Sequence, residues 1–300
     1  MTATNHSANQ GRVPAQGVPA QQGQVLQAPH GQVPAQQRAP RRRVQAKQTF
    51  FSVFRSEWSK LASLRSTWIT AAIASLITIG ISVLIMAQYS GMKGYADKAA
   101  NYLTVGSSFG QIAVAVLGAL LITGEYSSGQ IRSSLAAVPR RGRLFAAKAV
   151  VVTIFSALLG LVTVALTYLL SLPILGDKAG SLSNPEYLGF FWGTAMAFAI
   201  IGLMAMSFGY ILRSTAGSIS LVVVLLFVIL IPLGLAASKW EWVHYITDVL
   251  PSSSAAAVAD PYQLLETPTK LDYDLVIACG YAWAIIPMII AFFVFSKRDA

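Results

Sequence analysis

Charged residues are missing from six long stretches of this chain: 67–92, 99–124, 149–176, 187–212, 214–238 and 275–296. Each is longer than the roughly 20 apolar residues that cross a bilayer core. In hydrocarbon a backbone must satisfy its own amides, so each stretch is expected as a helix. The pattern predicts an all-α membrane protein with six transmembrane helices.

Two shorter patterns lie outside the six. Over 50–66, Phe51, Phe54, Trp58 and Leu61 recur at helical spacing, with Phe50 and Leu64 beside them. Ser52, Arg55, Ser56, Ser59, Lys60 and Ser63 fill the other side, while Glu57 and Arg65 break the pattern. This reads as an N-terminal amphipathic interface helix entering the first span. Residues 239–274 open with Trp240, Trp242 and Tyr245, which suit an interface belt. Pro251 can then open a helix. Ser252, Ser253, Ser254 and the residues to 258 are too few to cross, so a re-entrant outer element before the last helix is expected.

Charge then orients the bundle. The net charge of +10 is unevenly spread. Residues 1–66 carry nine Lys/Arg and one acid, Glu57. Arg132, Arg140, Arg141, Arg143 and Lys148 stand against Glu125 between spans two and three. Arg213 links spans four and five, and Lys297 and Arg298 face Asp299 at the end. The three remaining segments hold Lys93, Lys98, Lys178, Lys239 and Lys270 against nine acids. The excess of positive charge on alternate segments puts both termini in the cytoplasm, as an even span count requires. Lys148 is expected to snorkel to the inner interface. The basic residues sit beside spans, so anionic lipid explains them and nucleic acid is not expected as a partner.

Composition adds the rest. Residues 1–48 hold no acid and a crude GRVPAQ, GVPAQ, GQVPAQ repeat, which reads as a disordered cytoplasmic tail. The six-helix domain then covers 49–300. No cleavable signal peptide is evident, and six spans leave no room for a soluble catalytic or nucleotide-binding domain. A single cysteine, Cys279, allows no internal disulfide. His6, His30 and His244 are scattered. No catalytic, cofactor or metal residue is assigned. There is no GxxxxGK[ST] loop, no GxSxG and no HExxH. Every Asp and Glu lies at or beyond a span end, with no paired intramembrane carboxylates, so ion-coupled transport is not favoured. The chain reads as no enzyme, and energy for transport would come from elsewhere.

The most informative polar stretch is GEYSSGQIRSSLAAVPRRGRLFAAK at 124–148. Glu125 is expected to begin a short helix carrying Tyr126. Ile131, Leu135 and Val138 would share one face, and Pro139 would break it. This is either a docking surface for a soluble partner or a simple inner loop. The stretch resembles the segment after the second span in actinobacterial permeases of the ABC-2-type transporter family. The resemblance extends over 50–298, in the joint order of entry helix, six spans and outer element.

That resemblance implies a permease subunit driven by a separate ABC ATPase. It makes 125–138 a coupling helix, with Glu125, Tyr126, Ile131, Arg132, Leu135, Arg140, Arg141 and Arg143 at the coupling surface. Residues 51–65 would be the interface helix, with Phe51, Phe54, Trp58 and Leu61, and Pro251 to Ser254 would begin an outer gate. Glu125 is either a coupling acid or a helix N-terminal carboxylate held by the dipole. Six spans are half the usual twelve, so a second permease copy or homologue is implied in the plasma membrane. The apolar spans suit export of an amphipathic or lipid-like cargo. The alternatives are a non-transporting scaffold or sensor component and, less well supported by the residues, an intramembrane enzyme.

Overall fold

The computed structural model describes residues 49–297. The tail expected over 1–48, together with Arg298 and Asp299, lies outside the described residues. No strand occurs among those described.

Helix α1 spans Phe50–Ser63, and the Thr49 hydroxyl caps it by accepting the Ser52 N–H at 3.3 Å. The extended backbone of Leu64 ends α1 and turns the chain into α2, Arg65–Ser90. Then come α3 (Ser107–Ser127), α4 (Gln130–Ala137), α5 (Arg141–Leu175) and α6 (Pro185–Leu212). The fifth crossing is built from α7 (Thr215–Val223), a π-helical turn at Val224–Val228, and α8 (Leu230–Ala237). Short α9 (Val243–Val249) and α10 (Pro251–Ala259) precede α11 (Tyr273–Lys297).

Among the described residues, six helical stretches are long and apolar enough to cross a membrane: Arg65–Ser90, Ala96–Ser127, Arg141–Lys178, Pro185–Leu212, Thr215–Ala237 and Tyr273–Lys297. They coincide with the six charge-free stretches. The second includes a 3-10 segment, Ala96–Thr104, ahead of α3.

Helix α6 is the centre of the bundle and packs against α3, α5, α10 and α11. Small residues allow this. A Cβ on Gly118 of α3 would lie 2.3 Å from the Gly202 carbonyl oxygen of α6, so the two backbones touch there. Phe198, Ile201 and Met204 fill the surrounding core. The fifth crossing is the reverse case: Ile231 and Leu235 are among its exposed apolar side chains. Its π turn is closed by the Ile229 N–H bonding the Val224 carbonyl at 3.0 Å, one residue beyond the α-helical partner.

Pro251 opens α10 at its first turn, as expected. Ser252 and Ser254 are buried and Ser253 is half-buried. Two aspartates hold the segment that follows. Asp260 accepts the N–H groups of Leu264 and Leu265 at 2.9 and 2.8 Å. Asp248 accepts those of Lys270 and Leu271 at 2.7 and 3.0 Å. Trp283 of α11 donates to the Val249 carbonyl at 2.7 Å, tying this element to the last span.

Candidate functional site

The groups the sequence left unpaired meet at the basic end of the bundle. Glu57 lies on α1 at the step between Val53 and Leu61, and all three are buried. This stripe, not the aromatic one, is the inward face of α1. Leu61 belongs to both stripes. Phe54 and Trp58 are half-buried, and Phe51 is 70% exposed. The rings of Phe51, Phe54 and Trp58 follow one another at 6.3 and 6.0 Å, and Trp58 meets Phe155 of α5 edge-on at 6.3 Å. Glu57 breaks the amphipathic pattern because it faces the protein.

Its partner is Lys148, which is fully buried. The expected snorkelling does not occur, because two carboxylates satisfy the ammonium inside the bundle. Lys148 Nζ donates to Glu57 Oε2 at 2.5 Å and to Glu125 Oε1 at 2.8 Å. Lys60, one turn along α1, donates to Glu57 Oε1 at 2.7 Å, Glu125 Oε1 at 3.2 Å and Ser134 Oγ at 3.1 Å. Two acids and two bases therefore cancel in one cluster drawn from α1, α3 and α5, with Ser134 adding α4. A charge buried this deeply is tolerated only with such partners.

Glu125 does not begin a helix. It lies in the last turn of α3, and α4 starts five residues later at Gln130. Gly129 makes the break with φ of 71°, a left-handed conformation that glycine adopts without strain. The reading of Glu125 as a helix N-terminal carboxylate is therefore corrected. At a C-terminus the dipole opposes a negative charge, and the two lysines stabilise it instead. Glu57 and Glu125 share both lysines, but Glu57 lies outside the six crossing helices, so the two are not a pair within the membrane.

Around the cluster α4 is seated on the bundle. Ile131 is buried, and Leu135 and Val138 pack with it against Phe145, Tyr210 and Phe295. The apolar stripe thus faces the protein's own core, leaving Arg132 and Ser133 outward. The other basic residues have separate places. Arg141 donates to the Phe295 carbonyl at 3.2 Å, at the end of α11. Arg140 is exposed and Arg143 half-buried. Arg213 stands 5.1 Å from the ring centre of Tyr126. The arrangement brings Glu125, Tyr126, Ile131 and Leu135 together with α1; Pro251 to Ser254 belong to a different element.

Sequence reasoning missed the roles of Glu57, Lys60, Ser134 and Lys148. The available signal was a mismatched pair: one acid on an otherwise basic helix and one lysine just inside an apolar run.

Opposing forces set the charge states on α1. Burial pushes the Glu57 carboxyl up, but attraction to Lys148 and hydrogen bonds from Lys148 and Lys60 outweigh it and hold the group below the usual carboxylate value. Burial pushes Lys60 down, while its bond to Glu57 and the fields of Glu125 and Glu57 hold it above the usual lysine value. A depressed acid contributes stability above its unfolded pKa and loses it as pH falls through the folded one. A raised base contributes below its unfolded pKa and loses it as pH rises through the folded one. Thermal stability in detergent should therefore be flat near neutrality and fall below about pH 4.3, the unfolded glutamate value. Glu57→Gln should lessen that acid-side fall; an unchanged slope would remove Glu57 from the account.

A multi-pass helical membrane protein with a buried charge cluster at its basic end is the class that the fold defines. The chain belongs to the ABC-2 family of transporter proteins, whose family model matches residues 53–229. It is thus the membrane permease of an ABC transporter. The match begins within α1 and takes in all four charged residues of the cluster; α10 and α11 lie beyond it. No curated protein matches the chain.

Proposed function

We propose that this permease forms half of a translocation pathway, driven by a separate ATPase that docks at the basic end. The observation carrying this reading is the groove between α1 and α4. It measures about 180 Å³, is bordered by Val53, Ser56, Ser133 and Val138, and reaches Glu57, Lys60 and Ser134. A partner pressing into it moves α1, whose charges are locked to α3 and α5, and α4, which joins the same cluster through the Ser134 hydroxyl. Load on the surface therefore passes through Lys60 and Lys148 into two spans. In this reading α4 is the coupling helix, with Glu125, Tyr126, Ile131, Arg132, Leu135, Arg140, Arg141 and Arg143 around it. Residues 51–65 form the interface helix at the cytoplasmic leaflet.

The same reading puts the chain in the plasma membrane with both termini cytoplasmic, and α10 as a re-entrant outer gate element. The bare fifth crossing supports pairing with a second permease copy or homologue. The uncharged spans fit outward movement of an amphipathic cargo.

The test is isolation of the tagged chain in mild detergent. An ATP-binding subunit is expected in stoichiometric amount. Ser133→Trp, which fills the groove, should lower its recovery about tenfold, the loss of one good interface contact, without lowering the amount of permease in the membrane. Repeated isolation without an ATPase, where other ABC complexes survive, would sink the reading in favour of a non-transporting scaffold. Undiminished recovery with Ser133→Trp would move the docking site elsewhere.

A further inference from the structure

Several hydroxyls inside the bundle are satisfied within their own helix. Thr123, Thr167, Ser207 and Ser254 each donate to the carbonyl four residues back, at 2.9, 2.9, 2.7 and 2.8 Å. A set on α3 and its neighbours is not. Gln111 is fully buried, and neither its amide nitrogen nor its amide oxygen has a hydrogen-bond partner among the described residues. The hydroxyls of Thr78 in α2, Ser107 in α3 and Thr194 in α6 are likewise buried and unpartnered. All four residues lie in crossing helices, where each buried polar group without a partner is costly and points to a function.

They fall in one region of the bundle. Ser107 stands one turn before Gln111, so the two share a face of α3, and Gly118 continues that face two turns further on. Thr78 borders the face, since a Cβ on Gly110 would collide with its Oγ1. Helices α3 and α6 run parallel: Gly209 of α6 faces Ile122 of α3, as Gly202 faces Gly118. Gln111 comes seven residues before Gly118 and Thr194 eight before Gly202, so they stand at one depth. No charged residue lies in α2 after Arg65, in α3 before Glu125 or in α6 after Glu186. An ion brought here would lose its hydration and meet no counter-charge. A bare hydrocarbon would leave the glutamine amide unpaired. A secondary amide offers one N–H and one carbonyl, the complement of what Gln111 presents.

We propose that this face of α3 is a binding site for cargo, and that it takes an uncharged secondary amide carried by an amphipathic molecule, with Gln111 as the main hydrogen-bonding residue. The inference rests on the transport reading above. In the closed bundle the amide of Gln111 is held against apolar neighbours. Parting of α3 from α6 exposes it, and the cargo amide then supplies the bonds that the closed bundle lacks.

The full-length chain in mild detergent is titrated with N-dodecylacetamide, with its N-methyl derivative, which has no N–H, and with dodecyltrimethylammonium. Bound probe is read by native mass spectrometry and thermal stability by intrinsic fluorescence. N-dodecylacetamide should be retained at about tenfold lower concentration than either comparator, the effect of one or two added hydrogen bonds. Gln111→Met, which keeps an unbranched chain of similar length, should erase that preference. It should also raise the melting temperature by about 2–4 °C, because an unpaired amide is removed. Ser107→Ala, a smaller change on the same face, should narrow the preference should the methionine variant fail to fold. Equal retention of the three probes, a preference that survives both substitutions, or a lower melting temperature for Gln111→Met would each overturn the proposal. In the complex with the ATPase, N-dodecylacetamide should stimulate ATP hydrolysis with the wild-type permease and not with Gln111→Met. Binding that depends on Gln111 in a permease that brings no ATPase would uphold the site and sink the transport reading.

Discussion

Lys148→Met should be the most damaging single substitution outside the backbone contacts, lowering stability by about 3–5 kcal/mol. The side chain is fully buried and bridges Glu57 and Glu125. Removing its charge leaves two buried carboxylates to share Lys60, whose side chain is one-third exposed. For a chain of this size the loss corresponds to a fall on the order of 10 °C in apparent melting temperature, measurable by fluorescence in detergent. The interpretation has an internal control. Adding Glu57→Gln to Lys148→Met removes one of the stranded charges and leaves Lys60 against Glu125. The double variant should be more stable than Lys148→Met alone. A double variant that is worse would mean that Lys148 matters for its packing rather than its charge.

Gly118→Ala is also expected to have a large effect. A new Cβ would lie 2.3 Å from the Gly202 carbonyl oxygen, and neither partner is a flexible side chain. Helices α3 and α6 must part by about an ångström to restore ordinary contact, and interiors packed this tightly do not yield freely. A cost of about 1–3 kcal/mol follows. Gly80→Ala in α2 is the matched comparison, since nothing lies within 4 Å of its added Cβ. There the loss of glycine's backbone freedom should stabilise by about 0.5–1 kcal/mol. Melting temperatures that move the same way in both variants would show that the α3–α6 contact is looser than it stands here.

How much of this was legible beforehand depends on the kind of interaction. The spans were plain, because a bilayer imposes a local rule that each stretch obeys on its own. Pro251 opening α10 was plain for the same reason: a fixed φ acts on its own turn. The π turn at Val224–Val228 left no mark, since Val, Leu and Phe there suit any helix. The charge cluster was half visible. Glu57 breaks the pattern of its helix, but Lys148 at the edge of an apolar run reads as a snorkelling cation, and nothing local says that α1 docks against α5. The orientation of α4 was likewise hidden. An apolar stripe of Ile131, Leu135 and Val138 fits a partner as well as the parent bundle, and only the neighbouring Phe145 and Phe295 decide it. Glu125 was placed at the start of a helix because the break at Gly129 was not recognised.

The pairing of Glu57 with Lys148 also sets an order of assembly. The two residues are 91 positions apart. At about 5–20 residues per second, synthesis supplies the lysine roughly 5–20 s after the glutamate. During that interval α2 and α3 can enter the bilayer, but α1 has no buried cation to receive it. Lys60, three residues along the same helix, is the one partner of the cluster that is made almost at once. The nascent helix can thus wait at the membrane surface with its acid already neutralised, and lock down when the third span arrives. Mutations at Lys60 should therefore slow maturation of the bundle even where the finished protein tolerates them.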